Sequence, residues 1–372
     1  MVTCRASTGP CGSLIALLAA LLLLSVPASL LAQQSYVGAE YCAQCHPLDP
    51  SEADNYADWR TSGHRFILME GDLAQNRPLP VPGGFTWDDI SYVVGGYKNR
   101  AIYLDHEGYI ITTTEDADGE LVEGANQYNL NTGEWSDFDA GIENRPYDCG
   151  SCHTTGFLDR GHQHGLPGIE GNWSYDGVQC EVCHGPGGTM EVDQRAELCG
   201  TCHKHPDTNG IDAIDGEWIR SEGQYSELKA GPHADFACTA CHNPHKPAEF
   251  SIKKQCEDCH SSLAAEYATT FKGEAGIQCI DCHMPYATLS GQPLGPHQGD
   301  EKTHIFYVNP LAVPSMFTAD GTQVKLENGK AAVTLDFVCQ RCHQGTPIET
   351  LSHFAKGFHQ NIIQVNAQMK SE

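Results

Sequence analysis

The chain has 372 residues, and its 48 acidic against 22 basic side chains leave a formal net charge of −26. That balance excludes a nucleic-acid partner, because phosphate recognition needs a basic footprint, and leaves cationic partners open. A hydrophobic content of 40% excludes a disordered or collagen-like chain.

In chain order, the first predicted element is an address. Arg5 precedes a thirteen-residue apolar run at 14–26, and small residues suited to cleavage follow at Ala28 and Ala32. Thirteen residues are too few to cross a bilayer, so 1–32 reads as a signal peptide. The mature protein is expected to be exported, periplasmic or extracellular, with no membrane span. Cys4 and Cys11 fall in the signal, leaving 16 cysteines.

All 16 fall into eight Cys-x-x-Cys-His runs. The first is CAQCH (Cys42, Cys45, His46). Residues 51–66 then read as a helix, with Ser51 and Asp54 at capping-box spacing. Residues 87–114 are rich in β-branched and aromatic residues, broken at Gly95-Gly96 and Glu107-Gly108, with a further turn at Asp118-Gly119. They predict a small antiparallel sheet. Seven more motifs follow: CGSCH (Cys149, Cys152, His153), CEVCH (Cys180, Cys183, His184), CGTCH (Cys199, Cys202, His203), CTACH (Cys238, Cys241, His242), CEDCH (Cys256, Cys259, His260), CIDCH (Cys279, Cys282, His283) and CQRCH (Cys339, Cys342, His343). Finally, apolar residues at Leu351, Phe354, Phe358, Ile362 and Val365 predict one amphipathic helix over 350–369.

With 18 cysteines and 19 histidines, random placement would give roughly one such run in twenty chains of this length, and this chain holds eight. Neither disulfides nor zinc demands a histidine directly after every second cysteine. Covalent attachment of haem c does: two thiols add to the vinyl groups and the adjacent imidazole reaches the iron. Eight covalently attached haems are therefore expected. Motifs two to eight span 149–343 with about 28 residues per haem, too few for an ordinary protein core, so the haems are expected to form the core and to couple attachment to folding. The expected fold class is a mostly irregular and α-helical multihaem cytochrome, built around stacked haems with short helices. The expected segments are 1–32, the signal; 33–148, the first haem with the β insertion; and 149–372, a seven-haem core ending in the helix.

The sixth ligand of each iron is not part of the motif. Eleven histidines remain: His64, His106, His162, His164, His205, His233, His245, His297, His304, His353 and His359. His245, three residues past its own motif imidazole, cannot reach the far face of that iron and must serve a neighbouring haem or none. His205 is in the same position. On an ideal helix His359 lies nearer the apolar face than His353, so His359 is the expected ligand and His353 solvated. His106, in the Asp105–Gly108 turn, reads as structural or exposed.

The phrases SGH (62–64), CHTTGF (152–157), GVQCEVCHGPG (177–187), GPHADFACTACHNPHK (231–246), CIDCHMPYA (279–287) and GDEKTHIF (299–306) resemble the multihaem c-type cytochrome superfamily. That superfamily includes the tetrahaem carriers of ammonia oxidisers and related octahaem proteins. The resemblance implies closely stacked haems in parallel and perpendicular pairs. It also implies distal ligands at His64, His233, His245 and His304, further candidates at His205 and His297, and one from the GHQHG segment, His164 or His162. Relatives often carry a histidine beyond CHGPG, where this chain has Thr189-Met190; a ligating Met190 would raise that haem's potential.

Two function classes follow. An electron carrier has two side-chain ligands on every iron, and a supply of eleven histidines for eight irons favours it. Its partners are other redox proteins, and one variant polymerises into an extracellular filament. A reductase of nitrite, hydroxylamine or a sulfur oxyanion needs one open iron. A lysine ligand would suit such a site, with Lys204, Lys246, Lys253 and Lys254 nearest the motifs.

Overall fold

The computed structural model describes residues 35–46, 54–188, 192–205 and 209–359. The expected signal segment at 1–32, Ser51, Met190 and the residues after 359 lie outside these.

The first part of the chain is organised by a five-stranded antiparallel sheet. Its strands are β1 (Leu68–Glu70), β2 (Ile90–Gly95), β3 (Arg100–Asp105), β6 (Gln127–Asn129) and β7 (Trp135–Ser136), in that spatial order. The hairpin β4 (Thr113–Glu115) and β5 (Leu121–Glu123) stands apart from it. Alternation along β3 sends Ile102 and Leu104 to one face and Ala101 and Tyr103 to the other, and both faces are covered. Ile102 and Leu104 join Leu68, Tyr92, Ile110, Tyr147, Ile169 and Trp173. Ala101 and Tyr103 join Met69, Ala74, Leu79, Ile90, Val93 and Ile111. The first cluster draws in residues beyond 148, and Cys149 packs against it, so the sheet and the second motif share one core. A two-stranded ribbon, β8 (Thr154–Thr155) with β9 (Tyr175–Asp176), follows that motif directly.

Between β2 and β3 the chain reverses through Gly95 and Gly96, both at positive φ (+76° and +75°). Gly96 N–H donates to Arg100 O at 2.7 Å. A Cβ on Gly95 would lie 2.5 Å from that same carbonyl, so only glycine fits. Gly95→Ala is expected to cost about 1–3 kcal/mol through backbone strain, read as a lowered Tm. The reversal presents Tyr97, Lys98, Asn99 and Arg100 to the haem-motif half of the molecule.

That half departs from the expectation that haems alone would form its core. Strands β10 (Ala213–Ile214), β11 (Trp218–Arg220) and β12 (Thr288–Leu289) form a small sheet in which β11 and β12 run parallel. Around it Ile211, Ile219, Ala287, Ile305, Phe317, Val333 and Phe337 pack into a buried side-chain cluster. The long intervals between motifs four and five and between seven and eight supply these residues, which an average of residues per haem conceals.

Two helix expectations are also corrected. Within the expected 51–66 segment the described helix is Asn55–Arg60, capped by Asp54, whose carboxylate accepts from Ala57 N–H. A separate turn, Gly63–Phe66, follows it. At the other end the helix Ile348–Ala355 stops where Lys356 turns extended and Gly357 takes φ +69°, so His359 lies beyond the break and not on a helix continuous from 350.

Candidate haem centres

Each motif is a single tight turn. The His N–H bonds back to the carbonyl of the first Cys in at least six of them, for instance His203 to Cys199 at 2.8 Å and His184 to Cys180 at 3.0 Å. In CEDCH and CIDCH the internal aspartate also accepts the preceding backbone N–H, Asp258 from Gln255 and Asp281 from Gln278, both at 2.8 Å. Such a turn brings two thiols and one imidazole to the same side of the backbone.

These sides face one continuous cavity of about 2870 Å³, lined by residues of motifs two to eight. A single-ligand pocket is about 300–1000 Å³, so this one is sized for several cofactors. Two imidazoles sharing one metal have ring centres about 6.3 Å apart, given a bond of about 2.0–2.1 Å and about 1.1 Å from nitrogen to ring centre on each side. Five pairs match. His203 faces His64 at 6.3 Å, His184 faces His245 at 6.1 Å and His242 faces His304 at 6.2 Å. His260 faces His233 at 6.2 Å, and His283 faces His359 at 5.8 Å. Burial holds His64 and His304 down to about 4, so both are neutral near pH 7, the form that binds metal. The Nδ1 atoms are oriented as ligands require: His64 toward Pro244 O at 3.2 Å, His245 toward Asn243 Oδ1 at 3.1 Å and His283 toward Phe306 O at 2.8 Å. These residues fit haem c: paired thiols for the vinyl groups, paired imidazoles for the iron, and space between.

The thiols also give the order of the centres. Cys42 lies close to Cys180, Cys152 to Cys202 and Cys199 to Cys238. Cys183 lies near Cys199 and Cys202, Cys241 near Cys259, Cys256 near Cys279 and Cys282 near Cys339. Motifs one, three, four, five, six, seven and eight therefore form a line, and motif two branches from it at motif four.

The remaining candidates stand elsewhere. His164, at φ +54°, stacks on Tyr92 and lies 3.6 Å from Glu70; His162 Nδ1 meets Ile169 O at 2.7 Å. His205 lies 3.2 Å from Asp212, and His297 lies 3.8 Å from Asp336 against the ring of Phe337. Among the described residues none of these four rings faces a motif imidazole. His46 and His343, at the two ends of the line, are exposed.

His153, on the branch, differs from the rest. It is half-buried and lines the cavity, and burial pushes its pKa down to about 4, yet no histidine ring faces it among the described residues. The neighbours it meets are the Tyr147 ring at 6.4 Å and the charges of Glu222 and Arg100. Arg100 pairs with Glu222 at 3.0 Å and donates to Ser290 O at 2.8 Å. Lys98 and Glu301 line the same cavity. Sequence reasoning passed over all four charged residues; the only signal was a Lys and an Arg following a Gly-Gly reversal inside a β-rich run.

Comparison with known proteins bears on the same residues. The family model for cytochrome c3 matches 173–261, and the one for cytochrome c7 and related cytochrome c matches 135–204. The multihaem cytochrome MtrA of Shewanella baltica is 24% identical over 143 residues, 32% of this chain and 38% of that protein. The dissimilatory sulfite reductase MccA of Wolinella succinogenes is 23% identical over 367 residues, 68% of this chain and 51% of that protein. This chain is a multihaem c-type cytochrome. It spans about a third to a half of the length of those two relatives. Its fold is like that of the octahaem sulfite reductase MccA, with a TM-score of 0.60 at 16% identity over 86% of this cytochrome and 69% of that chain. It is also like that of the outer cell wall cytochrome OcwA, with a TM-score of 0.53 at 18% identity over 90% and 89%. Among the described residues of the cytochrome, no helix is long and apolar enough to cross a membrane.

Proposed function

We propose that the cytochrome is an exported octahaem reductase, in which seven haems in line exchange electrons with external redox proteins and the branch haem at His153 reduces a small oxyanion. The observation that carries this reading is the cavity around His153. Where five other motif imidazoles face a second imidazole, this one is met by Arg100 and Glu222, with Lys98 and Glu301 nearby. An all-histidine carrier would set a second imidazole opposite this one, whereas cations and carboxylates gathered beside a single motif histidine suit the binding of an anion.

A haem iron with a free sixth position supplies a binding point and electrons. Everything else at the site falls to the chain. Arg100, held by Glu222 and Ser290 O, is fixed in orientation. Lys98 makes no hydrogen bond or ion pair among the described residues and is free to receive an anion. Tyr147, fully buried, backs the His153 ring.

The test is spectroscopic. The oxidised protein is expected to show one high-spin haem whose band shifts on adding sulfite or nitrite. Lys98→Met should weaken that binding about 10- to 100-fold, since a hydrogen bond to a charged group is worth about 1.5–3 kcal/mol. A fully low-spin spectrum, unmoved by sulfite, nitrite or hydroxylamine, would return the protein to the carrier class.

A further inference from the structure

Glu301 stands out among the carboxyl groups around the Arg100–Glu222 pair that meets His153. It follows β12, and its N–H bonds to Thr288 O at 3.1 Å. Its side chain crosses to the N-terminal sheet, where Asn99 Nδ2 donates to Oε1. Asn99 belongs to the same reversal as Lys98 and Arg100, so Glu301 is tied to the loop that carries the cations of the site. The neighbouring carboxylates are occupied: Glu222 by Arg100, and Asp300 by the N–H groups of Ser290 and Gly291, both at 2.7 Å. Lys302, next in the chain, turns toward Asp281 at 3.9 Å. Glu301 Oε2 has no partner among the described residues, and Glu301 lines the cavity.

We infer that Glu301 is the proton donor to an oxyanion bound beside His153, an inference that rests on the reductase reading. Removing one oxygen from an oxyanion takes two electrons and two protons, breaks one bond from that oxygen to the central atom and releases water. The electrons come from the reduced haems, replenished by a low-potential external donor. The Glu301 Oε–H gives a proton to the departing oxygen, is reprotonated from water, and gives the second. The protonation state of Glu301 suits this role, because burial, then the charges of Glu222 and Asp300, raise the carboxyl to about 7 against the lowering influence of Lys98 and Arg100. It therefore carries a proton in a large share of molecules near neutral pH, where donation is most effective.

The experiment compares wild type, Glu301→Gln and Glu301→Asp with sulfite and nitrite as probes. Three quantities are measured: binding by the high-spin band, steady-state reduction, and the midpoint potential of the ligand-accessible haem as a function of pH. Glu301→Gln is expected to bind the anion as wild type does and to lose about 100-fold in kcat with little change in KM. Its rate should lose the fall seen in wild type as pH rises through about 7, and its potential should become flat across the same range. Glu301→Asp should recover part of the rate and the pH dependence. If Glu301→Gln binds and turns over as wild type does, with an unchanged pH profile, the proton-donor role is wrong and the reductase reading stands. If the wild type binds no anion, the reductase reading falls and this inference with it.

Discussion

Replacing Cys180 and Cys183 together by serine is expected to unfold the middle of the protein rather than to remove one cofactor silently. Motif three is the junction between motif one, through Cys42, and motif four, through Cys183. Within it the Glu181 carboxylate accepts three backbone N–H groups, from Val37 at 2.9 Å, Gly38 at 2.8 Å and Gly187 at 2.7 Å, and so fastens the N-terminal segment to the turn. Losing the group that fills this part of the cavity leaves a void of at least about 300 Å³. At about 24 cal/mol per Å³ such a void costs about 7 kcal/mol, half or more of the 5–15 kcal/mol that holds most domains folded. Limited proteolysis with haem staining should show cleavage within 154–205 in the variant. Native protease resistance with only one haem missing would contradict the prediction.

The second large effect is expected at Glu227, on the helix Gln224–Ala230. Its side chain is fully buried and accepts from Thr303 Oγ1 and from His304 N–H, the latter at 2.6 Å. These bonds set the loop that holds His304 opposite His242. Glu227→Ala would leave two buried donors unpaired, at about 1–3 kcal/mol each, and would loosen His304, the candidate iron ligand opposite His242. The variant should show a Tm lowered by several degrees and one additional high-spin haem. Glu227→Gln keeps an acceptor oxygen and should restore most of both. The acid differs from the amide in its pH response. Burial raises the folded carboxyl to about 7, well above its ordinary value of 4.5. The folded state therefore holds more protons than the unfolded state between these values, and stability declines as pH rises from about 4.5 to about 7. Glu227→Gln should flatten that decline in a denaturant titration run across the window.

The charged group that meets His153 through Arg100 and Glu222 comes from three separate stretches of chain. Lys98 and Arg100 arrive from the N-terminal sheet, Glu222 from just past β11, and Glu301 from beyond β12. The sheet between the first two motifs is thus more than an ornament on a haem core: one face carries Tyr147 beneath His153, and one of its turns carries the cations. This explains why the long first interval matters to the site although it contains no motif of its own.

What the sequence determined by itself is the chemistry written within five consecutive residues. Haem attachment needs two thiols and an imidazole at fixed spacing on one turn, so the sixteen cysteines and eight motif histidines expected to hold haem could be named without a fold. The strands around Ile90 and Tyr103 were also legible, because alternating β-branched and aromatic residues act locally. The distal partners were a different matter. His64 meets His203 across 139 positions, while His245 and His304 each lie 61 or 62 positions from their partners. Phrase-level resemblance named these three and His233, but pairing each with its motif depended on how the loops pack. His164, His205 and His297 look the same in sequence, and the tertiary structure sets them beside Glu70, Asp212 and Asp336 instead. The place of motif two as a branch, and the charged cluster where a second histidine would stand, were decided by tertiary structure alone. Both depend on distant segments meeting around a cavity, and no local spacing records which segments meet.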